Sequence, residues 1–144
     1  MQLQVLIDAD NLAPRRLQPV LDLLSALLGD DPGRTGTRVT ASGRRAALDR
    51  LSWPAGMQVL EHEGWQRADV ALAEAYSPAA TPLILVTGDG DFALLAARHP
   101  GDVLVVSGAA SGRLREHAVV VDPATEGTAP IRAWLAAHDI TSPK

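Results

Sequence analysis

Short apolar runs alternate along the chain with segments whose apolar positions recur every three or four residues. Leu3–Ile7 reads as a buried strand closed by Asp8. Pro14 suits the first turn of a helix, and the stripe Leu17, Val20, Leu21, Leu24, Leu27 and Leu28 continues it. Gly29-Asp30-Asp31-Pro32-Gly33 breaks that pattern. Thr37–Ala41 predicts a second strand, Ala46–Leu51 a short helix, Met57–Glu61 a third strand, and about Ala68–Tyr76 a helix. After the loop Ser77–Pro82 comes the clearest strand, Leu83–Val86. A helix over about Phe92–Arg98 is halted by Pro100-Gly101. Val103–Val106 is a fifth strand, Gly108–Gly112 a small-residue loop and Val119–Val121 a sixth strand. A terminal helix covers about 129–139, with Ile131, Trp134 and Leu135 on one face.

Strands that are continuously apolar, rather than apolar at alternate positions, belong to a parallel sheet covered on both faces. The expected fold is therefore α/β and three-layered, with a mostly parallel central sheet between helices. The 144 residues suit a single domain, 1–144, with the C-terminal helix packed on it. Ala124–Thr128 is too short to divide domains. In such folds ligands bind beyond the carboxyl ends of the strands, where the strand order reverses. A residue just after a strand then lies on the functional rim.

Acids recur at that position. Strand one ends Ile7-Asp8-Ala9-Asp10-Asn11, strand four ends Val86-Thr87-Gly88-Asp89-Gly90-Asp91, and the helix after strand three opens Arg67-Ala68-Asp69. Clustered carboxylates repel one another unless a cation neutralises them. Hard oxygen donors, with no cysteine and no nearby histidine pair, suit Mg²⁺ or Mn²⁺ better than Zn²⁺. Gly88 and Gly90 are expected to let the backbone turn sharply, so that Asp89 and Asp91 both face the crevice. Each residue also has a plainer reading. Asp91 can cap the next helix, Asp69 can be a first-turn acid, and Asn11 can be a turn residue. Four such coincidences on one rim fit poorly. Asp10 is set aside as a supporting acid that can point elsewhere, and Glu74, about 140° round the helix from Asp69, as peripheral.

Composition narrows the chemistry. The absence of cysteine excludes a disulfide scaffold, a zinc ribbon and a thiol nucleophile. The only lysine is Lys144, so no internal amine can form a Schiff base. Aromatics at 3% make a sheet paved with base-stacking rings a poor expectation. No apolar run approaches a membrane span, and Asp8 and Asp10 interrupt any N-terminal signal sequence, so a cytoplasmic protein without a membrane partner is expected.

The ordered set Ile7-Asp8-Ala9-Asp10-Asn11-Leu12, Ala68-Asp69-Val70-Ala71-Leu72 and Thr87-Gly88-Asp89-Gly90-Asp91-Phe92 resembles the NYN-domain family of the PIN-like nuclease superfamily, over roughly the first 122 residues. The resemblance implies a PIN-like α/β fold, a divalent-metal site and, usually, ribonuclease activity. Carried over by position, it puts the metal and catalytic acids at Asp8, Asp69, Asp89 and Asp91. Asn11, Asp10 and Thr87 support them. Two departures stand out: Arg67-Ala68 where many relatives have Lys-Gly, and Thr87 where Ser is commoner.

The net charge of −4 argues against a broadly basic surface, but distribution tells more than the sum. Arg15, Arg16, Arg44, Arg45, Arg67, Arg113 and Arg115, seven of the twelve arginines, follow strands and become candidate phosphate contacts. The competing view makes them solvated surface. His62, His99, His117 and His138 show no ligand spacing, and His99 is placed on the far edge. The leading expectation is a Mg²⁺- or Mn²⁺-dependent nuclease acting on nucleic acid, RNA before DNA, with a homo-oligomer or protein partner left open. The alternatives are a non-catalytic nucleic-acid or protein-binding module and a phosphatase of the haloacid-dehalogenase type. Asp8-Ala9-Asp10 suits the phosphatase, but its steadying lysine is missing. A dinucleotide site lacks its glycine turn after strand one.

Overall fold

Strand β1 (Leu3–Asp8) is buried along its whole length, which requires neighbours on both edges and cover on both faces. The computed structural model describes residues 2–29, 36–63 and 67–140, with the side chains of residues 28 and 67–69 excepted. Among them β1 pairs in parallel with β2 (Thr37–Gly43) on one side and β4 (Leu83–Val86) on the other. β3 (Gln58–Glu61) lies outside β2, while β5 (Val103–Val106) and β6 (Val119–Val121) extend the other flank. The order β3-β2-β1-β4-β5-β6 is that of an all-parallel, doubly wound sheet.

Alternation along the strands separates two cores. Leu3, Val5, Ile7, Ile84, Val86, Leu104 and Val106 face α1 (Pro14–Leu28), α2 (Arg45–Leu48) and the terminal helix α7 (Ala129–Ala137). Leu6, Leu83, Leu85, Val103 and Val105 face α3 (Arg67–Ala75), α4 (Ala93–Arg98) and α5 (Gly112–Arg115) through Leu72, Phe92, Ala96 and Leu114. The expected three-layer α/β architecture is present. No helix among the described residues is long and apolar enough to cross a membrane.

Several boundaries differ from the pattern-based reading, for identifiable reasons. β2 runs on to Gly43 because Ser42 and Gly43 pair with Leu60 and Glu61 of β3, so main-chain pairing rather than apolarity extends it. The expected Gly108–Gly112 loop gives way at its end to α5, which Ser111 caps by accepting the Leu114 N–H. The Ala124–Thr128 link overlaps a further turn of helix, α6 (Pro123–Glu126), capped by Asp122. A fully buried glutamine, Gln4, exchanges two hydrogen bonds with the Ser77 backbone and anchors the loop between α3 and β4.

Candidate functional site

The chain leaves β1 and β4, adjacent strands, in opposite directions across the sheet, which makes their carboxyl ends the point where the strand order reverses. Asp8 shares the face of Leu6, and Thr87 that of Leu85, so both side chains emerge on the α3 side. The Thr87 hydroxyl donates to Asp8 Oδ2 at 3.3 Å and accepts the Asp89 N–H at 3.2 Å. Asp8 Oδ1 accepts the Asp10 N–H at 3.3 Å, and the carboxylate is almost wholly buried. Asn11 Oδ1 accepts the Gly88 N–H at 2.7 Å and so ties the loop after β1 to the loop after β4. Asp8, Asn11, Thr87 and Asp89 thus form one hydrogen-bonded array at the switch point.

Within this array Asp89, not Asp91, is the helix cap. Its Oδ1 accepts the Asp91 N–H at 2.9 Å and starts the 3₁₀ turn Gly90–Phe92 that leads into α4. Asp91 is exposed and lines a groove between α3 and α4 with Val70 and Leu94. The glycines act differently from expectation: neither Gly88 nor Gly90 has a positive φ. Gly88 is needed for close approach, since a Cβ there would lie 2.5 Å from Ser107 Oγ and 3.0 Å from the Ala109 carbonyl. The constraint comes from the loop after β5 crossing over Gly88, which no local pattern reveals.

Asp10 turns away from Asp8. Its Oδ1 accepts the Arg44 N–H at 2.9 Å and lies 3.6 Å from Arg44 Nε, while Oδ2 lies 3.4 Å from His62 Nε2. Asp10 and His62 are both about nine-tenths buried, so this cluster joins the loops after β1, β2 and β3. His62 received no role from its spacing. Its position one residue beyond β3, the same rim rule applied to the acids, is the signal that would have found it.

The expected arginines divide into two groups. Arg16 is committed to Asp122, with Nε 3.1 Å from Oδ1, and its guanidinium fills the space that a Cβ at Gly108 would take. This hydrogen bond, followed by that from the Ala124 N–H, holds the Asp122 carboxyl below the usual carboxylate range. Arg44 is held by Asp10. Arg15, Arg45, Arg113 and Arg115 are exposed on the rim. Two small clefts open beside Asn11, one of about 250 Å³ bordered by Arg44 and Arg50, the other of about 150 Å³ bordered by Arg16 and Gly108.

Asp69 lies in the first turn of α3, and its side chain, like that of Arg67, lies outside the described residues. Among the described residues no three acids or histidines are gathered closely enough to hold a metal ion by themselves. The donors present are nonetheless of one kind, carboxylate oxygens oriented by a hydroxyl and by amides. Mg²⁺ commonly takes one or two carboxylates and fills its octahedron with water and substrate phosphate, so the donor chemistry fits that ion. The chain matches no family model and no curated protein.

Proposed function

We propose that the protein is a metal-dependent phosphodiesterase of the NYN, PIN-like type, acting on nucleic acid and on RNA before DNA. The observation that carries this reading is the array at the switch point, in which Thr87 links Asp8 at the end of β1 to Asp89 at the end of β4. Asp8 and Asp89 would hold Mg²⁺ or Mn²⁺, with Asp69 from α3 and Asp91 as the outermost acid. The bound cation would lower the pKa of attacking water and draw charge from the phosphodiester. Thr87 holds Asp8 by its hydroxyl, and Asn11 keeps the two loops together, so the carboxylates need little reorganisation when substrate arrives. The exposed arginines 15, 45, 113 and 115 would meet phosphates on either side.

The arrangement disfavours the phosphatase alternative. There the second acid of Asp8-Ala9-Asp10 should face the reacting phosphate, whereas Asp10 Oδ1 accepts the Arg44 N–H and Oδ2 lies 3.4 Å from His62 Nε2, away from Asp8. The test is incubation of the purified protein with end-labelled RNA, single-stranded DNA and duplex DNA in Mg²⁺, Mn²⁺ or EDTA, beside a phosphomonoester. We expect RNA cleavage that EDTA abolishes. Binding without cleavage in either metal would support the non-catalytic module, and phosphomonoester turnover alone would support the phosphatase.

A further inference from the structure

We propose that the protein pairs with a second copy of itself through α4 and the 3₁₀ turn that precedes it, about a two-fold axis passing between Leu94 and Leu95. The inference does not rest on the nuclease reading, although the two share Asp91, and its test reads association rather than cleavage. Asp91, Leu94, Leu95 and Arg98 all line a groove of about 520 Å³ between α3 and α4, walled on the α3 side by Val70 and Ala73. Leu94, Leu95 and Arg98 come from α4 and Asp91 from the 3₁₀ turn before it, and the shared groove places all four on one side of this element. Val70 is 57% and Leu94 55% exposed, although the inner face of the same turn and helix is fully used by Phe92, Ala93 and Ala96 in the core. Leu95 is half-buried with its inner side against the core, so among the described residues Leu94 and Val70 are the apolar side chains of this groove left largely exposed.

The charges at its ends specify the occupant. Asp91 lies three residues before Leu94, and Arg98 three residues after Leu95. Antiparallel apposition of two copies brings Asp91 of each against Arg98 of the other while the leucines meet at the centre. A two-fold interface needs this self-complementarity, in which one set of residues serves both sides. Neither Asp91 nor Arg98 takes part in an ion pair among the described residues. Pairing would also bring a guanidinium of the second copy to the outer border of the acidic crevice.

Sedimentation over a roughly hundredfold range of concentration tests this, because self-association follows mass action. We expect the wild-type chain to dimerise and Leu94→Asp to weaken association about tenfold or more, since it sets like charges at the axis. Arg98→Asp alone and Asp91→Arg alone should each be monomeric, because each places like charges opposite one another twice. An equimolar mixture of these two variants should dimerise again, both pairs being restored. Circular dichroism checks that each variant stays folded, as the exposure of these side chains predicts. A wild-type chain monomeric throughout, leaving the groove to another protein or to a nucleobase, would overturn the proposal. So would a Leu94→Asp chain that dimerises like wild type, or a mixture that stays monomeric.

Discussion

At the amino edge of the sheet, His99 is clasped between the Tyr76 hydroxyl, 2.7 Å from Nδ1, and the Thr81 carbonyl, 2.6 Å from Nε2. At the carboxyl edge, the hydroxyl of Thr87 links the Asp8 carboxylate to the Asp89 backbone N–H. Both edges hold polar groups at low exposure, but with different chemistry. At the amino edge the Thr81 carbonyl can only accept, so Nε2 donates to it, while Nδ1 shares a hydrogen bond with the phenol hydroxyl. Burial raises the Tyr76 pKa and keeps the phenol proton in place. Every partner there is complementary. The carboxyl edge instead sets two acids, Asp8 and Asp89, at the ends of adjacent strands, and like charges on one rim favour a neighbouring cation. On the proposed reading, the amino edge serves the fold alone, while the carboxyl edge would also take a ligand.

The sharpest way to break that comparison is to remove one charge from the carboxyl edge. Asp89→Asn should lower metal-dependent RNA cleavage about 100-fold or more, as loss of several kcal/mol of charge stabilisation implies. Its folding stability should stay within about 0.5 kcal/mol, because the asparagine carbonyl still accepts the Asp91 N–H as a cap. Cleavage rates beside denaturant melts separate the two quantities, and undiminished cleavage would make this loop structural.

The reciprocal change belongs at the other edge. His99→Ala should cost about 2 kcal/mol or more, since it strands a phenol and a carbonyl that are part-buried. It should leave the cleavage rate of the folded fraction unaltered. A parallel loss of cleavage would show that the edges are coupled and do not divide the work.

His138, also at the amino edge, sharpens the comparison through pH. Its Nε2 lies 2.9 Å from Asp102 Oδ2 and its Nδ1 2.8 Å from the Trp134 carbonyl, two acceptors that the protonated ring alone can satisfy together. The Asp102 hydrogen bond, then that to Trp134, raises its pKa above the ordinary value. A raised folded pKa gives stability that is complete below about pH 6.5, the unfolded value, and is lost as pH rises through the folded value. His138→Gln should thus be less stable than wild type in mild acid and equal to it at alkaline pH. The gap should be no more than about 1 kcal/mol, because Asp102 is largely exposed and solvent screens the pair. Melting curves from mild acid to alkaline pH check this, and a gap that widens with pH would reverse the assignment.

The smallest expected effect concerns the exposed arginines. Arg45→Ala should weaken RNA binding evenly across sequences and flatten the salt dependence by about one unit of slope. Arg16→Ala should change the slope less, because Arg16 is held by Asp122 in a largely buried pair, whereas the Arg45–Asp49 pair is open to solvent. Binding across a salt series in Ca²⁺ measures both, and equal slopes for the two variants would remove this distinction.

Much of the architecture was legible because it depends on local pattern. The apolar strands at Leu83–Val86 and Val103–Val106, the Pro14 start and Gly29 end of α1, and the placement of Asp8 and Asp89 after strands all follow from residue type and spacing. His99 was also placed on the far edge, where it lies, though its two partners were not foreseen. Asp10, His62 and Arg44 illustrate the limit, for their meeting depends on three loops brought together by the order β3-β2-β1.

The sequence by itself determined that this protein is a parallel α/β domain with acids following its strands, because hydrophobic periodicity and strand ends are properties of consecutive residues. Only the tertiary structure decided that Asp89 caps the turn before α4 and that Asp10 faces Arg44 and His62. The same holds for Gly88, which must be small to pass under Ser107 and Ala109, and for Leu94, which is left exposed among the described residues. Each of these depends on which segments, distant along the chain, come within a few ångströms of one another. Such proximity is set by packing across the sheet, and no run of neighbouring residues encodes it.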